Sequence, residues 1–65
     1  MYKNKIKETR VKQGLTLMKL AEITGISTGY ICHLEKGTRK NPSAQMMEKI
    51  AIALNKSVYE LFFDE

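Results

Sequence analysis

Apolar residues recur at helical spacing in several short stretches of the chain, and small turn-forming residues separate these stretches. In residues 15–37, a first apolar set around Leu20 ends at Gly25, and a second set that includes Ile31 and Leu34 follows. Two short helices joined by a tight glycine turn form the arrangement known as helix-turn-helix. The pattern therefore predicts such a pair over about residues 16–36.

Capping residues predict where the helices begin and end. Serine and threonine hydroxyls accept hydrogen bonds at a helix start, whereas glycine and asparagine close a helix in the left-handed conformation. Ser57 with Glu60 three residues later forms a capping box. The predicted helices, with their caps, cover residues 4–13, 16–24, 27–36, 43–54 and 57–62; the predicted terminators are Gly14, Gly25, Gly37 and Asn55. We expect an all-α fold, a compact five-helix cluster that forms one domain over residues 1–65.

Composition excludes several classes of protein. The chain has 65 residues, of which 43% are hydrophobic, which is ordinary for a small folded domain. Its one cysteine and one histidine, Cys32 and His33, cannot supply the three or four ligands of a zinc site, so we expect no metal and no cofactor. The longest apolar run, Ile50–Leu54, is far shorter than the roughly 20 residues that span a bilayer. We expect a cytoplasmic protein.

The basic charge is concentrated in the part of the chain that contains the helix pair. The net charge is +4, but residues 1–40 carry +6 and residues 41–65 carry −2. Such a field attracts polyanions such as nucleic acids. A solvated lysine-rich surface without a partner is the alternative explanation of the same charges.

Several short motifs resemble one known family. They are Gly14-Leu15-Thr16, Leu20-Ala21, Thr24-Gly25-Ile26-Ser27, Tyr30-Ile31, Leu34-Glu35-Lys36-Gly37, Asn41-Pro42-Ser43 and Ala51-Ile52-Ala53-Leu54. In residue type and spacing they are similar to the phage Cro/repressor (XRE-type, lambda-repressor-like) helix-turn-helix family, from about Ile6 to Phe63. The resemblance implies a five-helix repressor-type fold, double-stranded operator DNA as ligand, a homodimer and control of transcription, with repression as the expected outcome.

The resemblance also implies which residues contact DNA, with the helix Ser27–Lys36 in the major groove. These residues are Thr16, Ser27, Thr28, Gly29, Tyr30, His33, Lys36, Arg39 and Lys40. Thr28, Gly29 and His33 occupy the positions that reach base edges, and His33 is expected to donate to guanine N7 or O6 or to a phosphate. Three of the nine residues have a simpler alternative: His33 as a surface histidine, Gly29 as a tolerated glycine, and Tyr30 as a packing residue.

Two further groups have structural roles in this interpretation. Arg10 and Glu35 are charged residues on otherwise apolar stripes, and the resemblance implies an ion pair that ties the first helix to the third. The expected dimer interface consists of Val58, Tyr59, Phe62 and Phe63. Leu17 and Met18 depart from the family pattern, since a glutamine that contacts a phosphate often occupies the position of Leu17.

No residue pattern indicates an enzyme, because the sequence has no catalytic pair with an orienting third group and no glycine-rich phosphate loop. The serious alternative to DNA binding is a protein-interaction module of the same fold, such as an antitoxin subunit. The apolar residues Leu17 and Met18 and the aromatic C-terminal segment would serve that function.

Overall fold

Five helices account for the regular structure in residues 4–38 and 42–63, the residues that the computed structural model describes. They are α1 (Ile6–Lys12), α2 (Leu17–Thr24), α3 (Thr28–Lys36), α4 (Ala44–Leu54) and α5 (Val58–Phe62). Within these ranges there is no strand, and no helix is long and apolar enough to cross a membrane. The all-α, five-helix prediction is confirmed.

The helix boundaries follow local chemistry closely. Four hydroxyl caps accept a hydrogen bond from the third residue of their helix: Thr16, Ser27, Ser43 and Ser57. Asn55 ends α4 with a φ of +57°, in the left-handed region that asparagine tolerates better than most residues. Because caps and terminators act over three or four residues, the sequence predicts these boundaries well.

The start of α1 differs slightly from the prediction. The helix begins at Ile6, and Lys5 stands at its cap position without a capping side-chain bond. Asn4 instead accepts a hydrogen bond from the Ile6 amide through Oδ1 (3.1 Å) and donates from Nδ2 to the Leu34 carbonyl (2.8 Å). Asn4 therefore connects the beginning of α1 to α3 as well as ordering its own helix.

Every helix contributes apolar side chains to a single core. The buried hydrophobic residues are Ile6, Leu20, Ile26, Ile31, Leu34, Ile50, Ala51, Leu54, Leu61 and Phe62. Helix α2 packs against α3 and α4, α1 packs against the same two helices, and α5 packs against α4. The α2–α3 pair is thus held from behind by α1 and α4, with α5 packed against α4, which leaves the other side of the pair exposed.

The capping box of α5 makes a testable contribution to stability at acidic pH. The Ser57 amide donates to Glu60 Oε1 (2.9 Å), and the Glu60 amide donates to Ser57 Oγ (3.0 Å). The bond from the Ser57 amide is the main reason why the pKa of Glu60 lies below its ordinary value of about 4.5. The Glu60 carboxylate therefore binds a proton more readily in the unfolded chain than in the folded one. Its stabilisation of the fold is complete above pH 4.5 or so and is lost as the pH falls through the lower pKa of the folded state.

We therefore expect the thermal midpoint of the wild-type chain to fall relative to that of Glu60→Gln as the pH is lowered below about 4.5. The glutamine keeps the shape of the side chain and does not titrate. Parallel pH profiles of the two proteins, measured by circular dichroism, would show that the Glu60 carboxylate does not stabilise α5.

Candidate nucleic-acid interface

The turn between α2 and α3 is fixed by one glycine and one threonine. Gly25 has a φ of +73°, and its amide donates to the Ala21 carbonyl (2.8 Å). Thr24 Oγ1 donates to the Leu20 carbonyl (2.8 Å) and accepts from the Ile26 amide (3.2 Å). A side chain at Gly25 would meet open space, but the left-handed backbone disfavours any residue with a Cβ. The geometry of the turn is therefore encoded locally.

Helix α3 presents its predicted base-reading residues to solvent. Ile31 and Leu34 are fully buried and fix the rotation of the helix. Thr28, Gly29 and His33 are consequently exposed on the other side. The structure thus brings the three predicted base-reading positions together on one accessible surface of a well-anchored helix.

Two of the predicted DNA-contacting residues have internal roles at the start of α3. Ser27 Oγ accepts a hydrogen bond from the Tyr30 amide (3.2 Å), as expected of a cap. Tyr30 is half-buried and packs against the core. Packing is therefore a role that the structure assigns to Tyr30, and a phosphate contact through its hydroxyl remains a prediction.

The first turn of α2 carries two backbone amides with no hydrogen-bond acceptor among residues 4–38 and 42–63. Thr16 Oγ1 accepts from the Lys19 amide (3.0 Å), and Lys19 is the third residue of the helix. Leu20 is the first residue whose amide bonds to a carbonyl of the helix, that of Thr16. The amides of Leu17 and Met18 come before it and lie at the positive end of the helix dipole. Leu17 packs against the core, whereas Met18 is 74% exposed. Only Met18 therefore forms the exposed apolar spot that the sequence predicts at this place.

The C-terminal end of α3 folds back on itself. Gly37 is left-handed with a φ of +78°, its amide donates to the Leu34 carbonyl (3.1 Å), and the Thr38 amide donates to the His33 carbonyl (3.0 Å). These two bonds form a Schellman motif. Lys36 is exposed beside it. The predicted contacts of Arg39 and Lys40 lie outside the described residues.

The structure shows one contact in this region that the sequence does not predict. The His33 ring nitrogen Nδ1 lies 2.9 Å from Thr38 Oγ1, and Thr38 Oγ1 donates to the His33 carbonyl at 3.2 Å. The glycine after α3 is the signal that could have indicated it, because a Schellman motif places the residue after the glycine over the last turn of the helix.

Arg10 and Glu35 form a bidentate ion pair between α1 and α3. Arg10 Nε lies 2.7 Å from Glu35 Oε2, and Arg10 Nη2 donates to Glu35 Oε1 (3.2 Å). Arg10 Nη1 also donates to the Leu15 carbonyl (2.8 Å). The two side chains are only 12% and 7% exposed, and the hydrogen bond with Glu35 raises the pKa of Arg10. The pair fixes α3 against the rest of the domain.

The aromatic residues of α5 divide into two groups. Phe62 is 6% exposed and belongs to the core, and Val58 packs against it. Tyr59 and Phe63 are 64% and 56% exposed, and the Phe63 amide donates to the Tyr59 carbonyl (2.9 Å), one turn away. Among the predicted dimer residues, Phe62 is therefore covered by its own chain, whereas Tyr59 and Phe63 are accessible; the dimer interface stays a prediction.

Comparisons with known proteins agree with this arrangement. The family model described as helix-turn-helix matches residues 6–61. The chain is 36% identical over 61 residues to the HTH-type transcriptional regulator SinR of Bacillus subtilis (strain 168), an alignment that covers 94% of this chain and 55% of SinR. The chain therefore spans about half the length of that curated relative.

Two solved structures have the same fold. A crystal structure of SinR in complex with DNA superposes with a TM-score of 0.80 at 36% identity, covering 85% of this chain and 87% of that one. The restriction-modification controller protein C.AhdI from Aeromonas hydrophila superposes with a TM-score of 0.82 at 34% identity, covering 89% and 86% of the two chains. With the matched residues, the glycine turn and the five-helix architecture in agreement, the chain belongs to the XRE-type helix-turn-helix family.

Proposed function

We propose that this protein is a sequence-specific, double-stranded DNA-binding transcription regulator that inserts α3 into the major groove. The observation that carries the proposal is the exposure of Thr28, Gly29 and His33 on a helix whose opposite side is fully buried. A groove-reading helix needs both properties, because its side chains must reach base edges while the domain holds its orientation. The structure of SinR with DNA supports the same ligand for this chain.

Phosphate contacts supply the rest of the proposed interface. The amides of Leu17 and Met18 at the start of α2 form an anion site of the helix-terminus type. Lys36 adds a cation at the end of α3, and Arg39 and Lys40 follow it in the sequence. The base-reading positions have no Arg, Asn or Gln, the residues that make bidentate base contacts. Shape and phosphate contacts are therefore expected to contribute much of the affinity.

Replacing Gly29 by alanine tests whether the glycine is needed for a close approach of α3 to DNA or is only tolerated in the helix. A Cβ at Gly29 would meet nothing within 4 Å in the protein. We expect Gly29→Ala to stabilise the fold by about 0.4–1 kcal/mol, because alanine loses less conformational entropy on folding. If α3 approaches the DNA closely here, the added methyl group should weaken binding by about 1–3 kcal/mol, as overpacking does. Unchanged affinity, measured by fluorescence anisotropy, would mean that Gly29 is only tolerated.

The binding experiment uses a duplex from the DNA upstream of the coding region and the variant Thr28→Glu. A carboxylate at the first position of α3 suits the helix dipole, so the fold should be retained, but it faces the acceptors and phosphates of DNA. The wild-type chain should bind at low salt and Thr28→Glu should not. Val11→Glu, which places the same charge on an exposed position of α1, is the matched control and should bind normally. Equal binding by both variants, or none by the wild type, contradicts the proposal.

A homodimer that represses transcription is the second part of the proposal. A regulator of this kind places two recognition helices about one DNA turn, roughly 34 Å, apart. Tyr59 and Phe63 support it, because they are large apolar side chains exposed one turn apart. In sedimentation experiments we expect Phe63→Glu to be monomeric and Val11→Glu to behave like the wild type. A wild-type chain that stays monomeric alone and on DNA refutes the dimer.

A protein-interaction module is the alternative function, and the exposed Met18 is the observation that favours it. Met18 lies at the start of α2, where a polar side chain would suit DNA better. One solved structure that matches this chain is a complex of SinR with the protein SinI, so a member of this family can also bind a protein. Absence of DNA binding at low salt would favour this alternative.

A further inference from the structure

The end of α3 holds the His33 ring in a defined hydrogen-bonded position. The left-handed Gly37 turns the chain back, and the Thr38 amide donates to the His33 carbonyl (3.0 Å). Thr38 Oγ1 then lies between two groups of the same residue, 3.2 Å from the His33 carbonyl oxygen and 2.9 Å from ring Nδ1. Both contacts lie within hydrogen-bonding distance.

The protons available to these groups favour one arrangement. A threonine hydroxyl has a single proton to donate, whereas its oxygen can also accept. If the hydroxyl donates to the carbonyl of His33, it accepts from a protonated Nδ1, and both contacts are hydrogen bonds. If it donates to Nδ1 instead, two acceptor oxygens face each other at 3.2 Å with no proton between them. The first arrangement satisfies every group.

We propose that Thr38 determines how His33 reads DNA, by keeping the proton on Nδ1 so that the neutral ring presents Nε2 as an acceptor. No residue in 4–38 or 42–63 forms a hydrogen bond with Nε2, and His33 is exposed. Thr38 is thus a positioning residue, and His33 is the group that meets the base. This inference rests on the proposed function, because it specifies the chemistry of the same interface.

The consequence is a preference for amino groups in the major groove. Cytosine presents the N4 amino group there and adenine presents N6, whereas guanine presents only the acceptors N7 and O6. Nε2 of the neutral ring therefore accepts from cytosine or adenine. A guanine or a phosphate would bind Nε2 only after the ring takes up a second proton. This reverses the base preference that the sequence alone suggests for His33.

The tautomer is measured on the free chain, without DNA. The ring ¹⁵N chemical shifts of His33 are recorded at alkaline pH, and the same spectrum shows whether the ring is neutral. We expect these shifts to place the proton on Nδ1. Thr38→Val keeps the shape and the backbone bond to the His33 carbonyl but removes the hydroxyl, so the proton should move substantially to Nε2. Thr38→Ser should restore the wild-type spectrum. A wild-type proton on Nε2, or identical spectra of wild type and Thr38→Val, overturns the proposal.

Base preference is then measured by selection from a randomised duplex pool at the same pH. The wild type should favour cytosine or adenine over guanine at one position by about two- to tenfold, the range for a single hydrogen bond. His33→Ala should lose this preference, Thr38→Val should shift it towards guanine, and Thr38→Ser should retain it. A wild type that selects guanine overturns the inference and leaves the proposed function intact. A chain that selects no duplex overturns the proposed function and the DNA-reading part of the inference, while the ¹⁵N spectrum still decides the tautomer.

Discussion

Replacement of Glu35 by alanine is expected to lower the free energy of unfolding by about 3 kcal/mol, the lower end of the range for breaking a buried ion pair. The carboxylate receives two bonds from the Arg10 guanidinium, and both side chains are almost completely covered. Without Glu35, the guanidinium keeps its bond to the Leu15 carbonyl but remains buried without a counter-charge. The cost arises mainly from this uncompensated charge.

The effect is large in relation to the size of the domain. A core of this size supplies about 3–5 kcal/mol of net stability, so Glu35→Ala should leave a substantial unfolded fraction at room temperature. Urea denaturation followed by circular dichroism measures the loss. The pair connects α1 to α3, so its loss should also loosen the position of α3. The molecules of the variant that stay folded should therefore bind DNA more weakly than the wild type.

The matched control is Glu22→Ala, which removes an acid of the same kind from an exposed pair on α2. Lys19 Nζ lies 3.2 Å from Glu22 Oε1, and both side chains are more than half exposed. Surface pairs of this kind contribute less than about 1 kcal/mol. If Glu35→Ala unfolds at the same urea concentration as Glu22→Ala, the ion pair does not stabilise the fold.

DNA affinity is expected to fall by roughly 10³- to 10⁵-fold between about 50 and 200 mM salt, if a dimer makes some eight phosphate contacts. Each neutralised phosphate releases bound counterions, and added salt opposes that release. The basic residues of positions 1–40 and the amides at the start of α2 provide these contacts in the proposed complex. The logarithm of the affinity should fall linearly with the logarithm of the salt concentration.

Two lysine variants distinguish the effect of a single phosphate contact on the salt dependence from the effect of lowering the net charge of the protein. Lys36→Ala at the end of α3 should reduce the salt slope by about one per subunit, because it removes one phosphate contact. Lys49→Ala removes the same charge from α4, a helix that carries none of the proposed contacts, and should leave the slope nearly unchanged. A wild-type slope near zero, or equal effects of both variants, contradicts the proposed set of phosphate contacts.

The parts of the fold that the sequence predicts are those encoded over a few residues. The left-handed Gly25 and Asn55, the hydroxyl caps and the capping box of α5 all act within one helical turn. The exposure of Thr28 and His33 also follows from the sequence, because Ile31 and Leu34 define the buried side of the same helix.

The parts that the sequence does not predict join residues that only packing brings together. Asn4 donates to the Leu34 carbonyl, and Gln13 Nε2 donates to the Leu54 carbonyl (2.7 Å); neither partner is visible in a local pattern. Phe62 is the opposite case, because helical spacing already groups it with Val58 and Leu61 on the core side, and Phe62 is buried where α5 packs against α4.

The most direct measurement of the central claim is the change in backbone amide chemical shifts when the upstream duplex is added at low salt. Insertion of α3 into the major groove predicts that the largest changes occur at the start of α2, at Thr28 and Gly29, and at His33. The amides in the middle of α1 and α4 should change little. Changes confined to α4 and α5, or no change at low salt, would contradict the account.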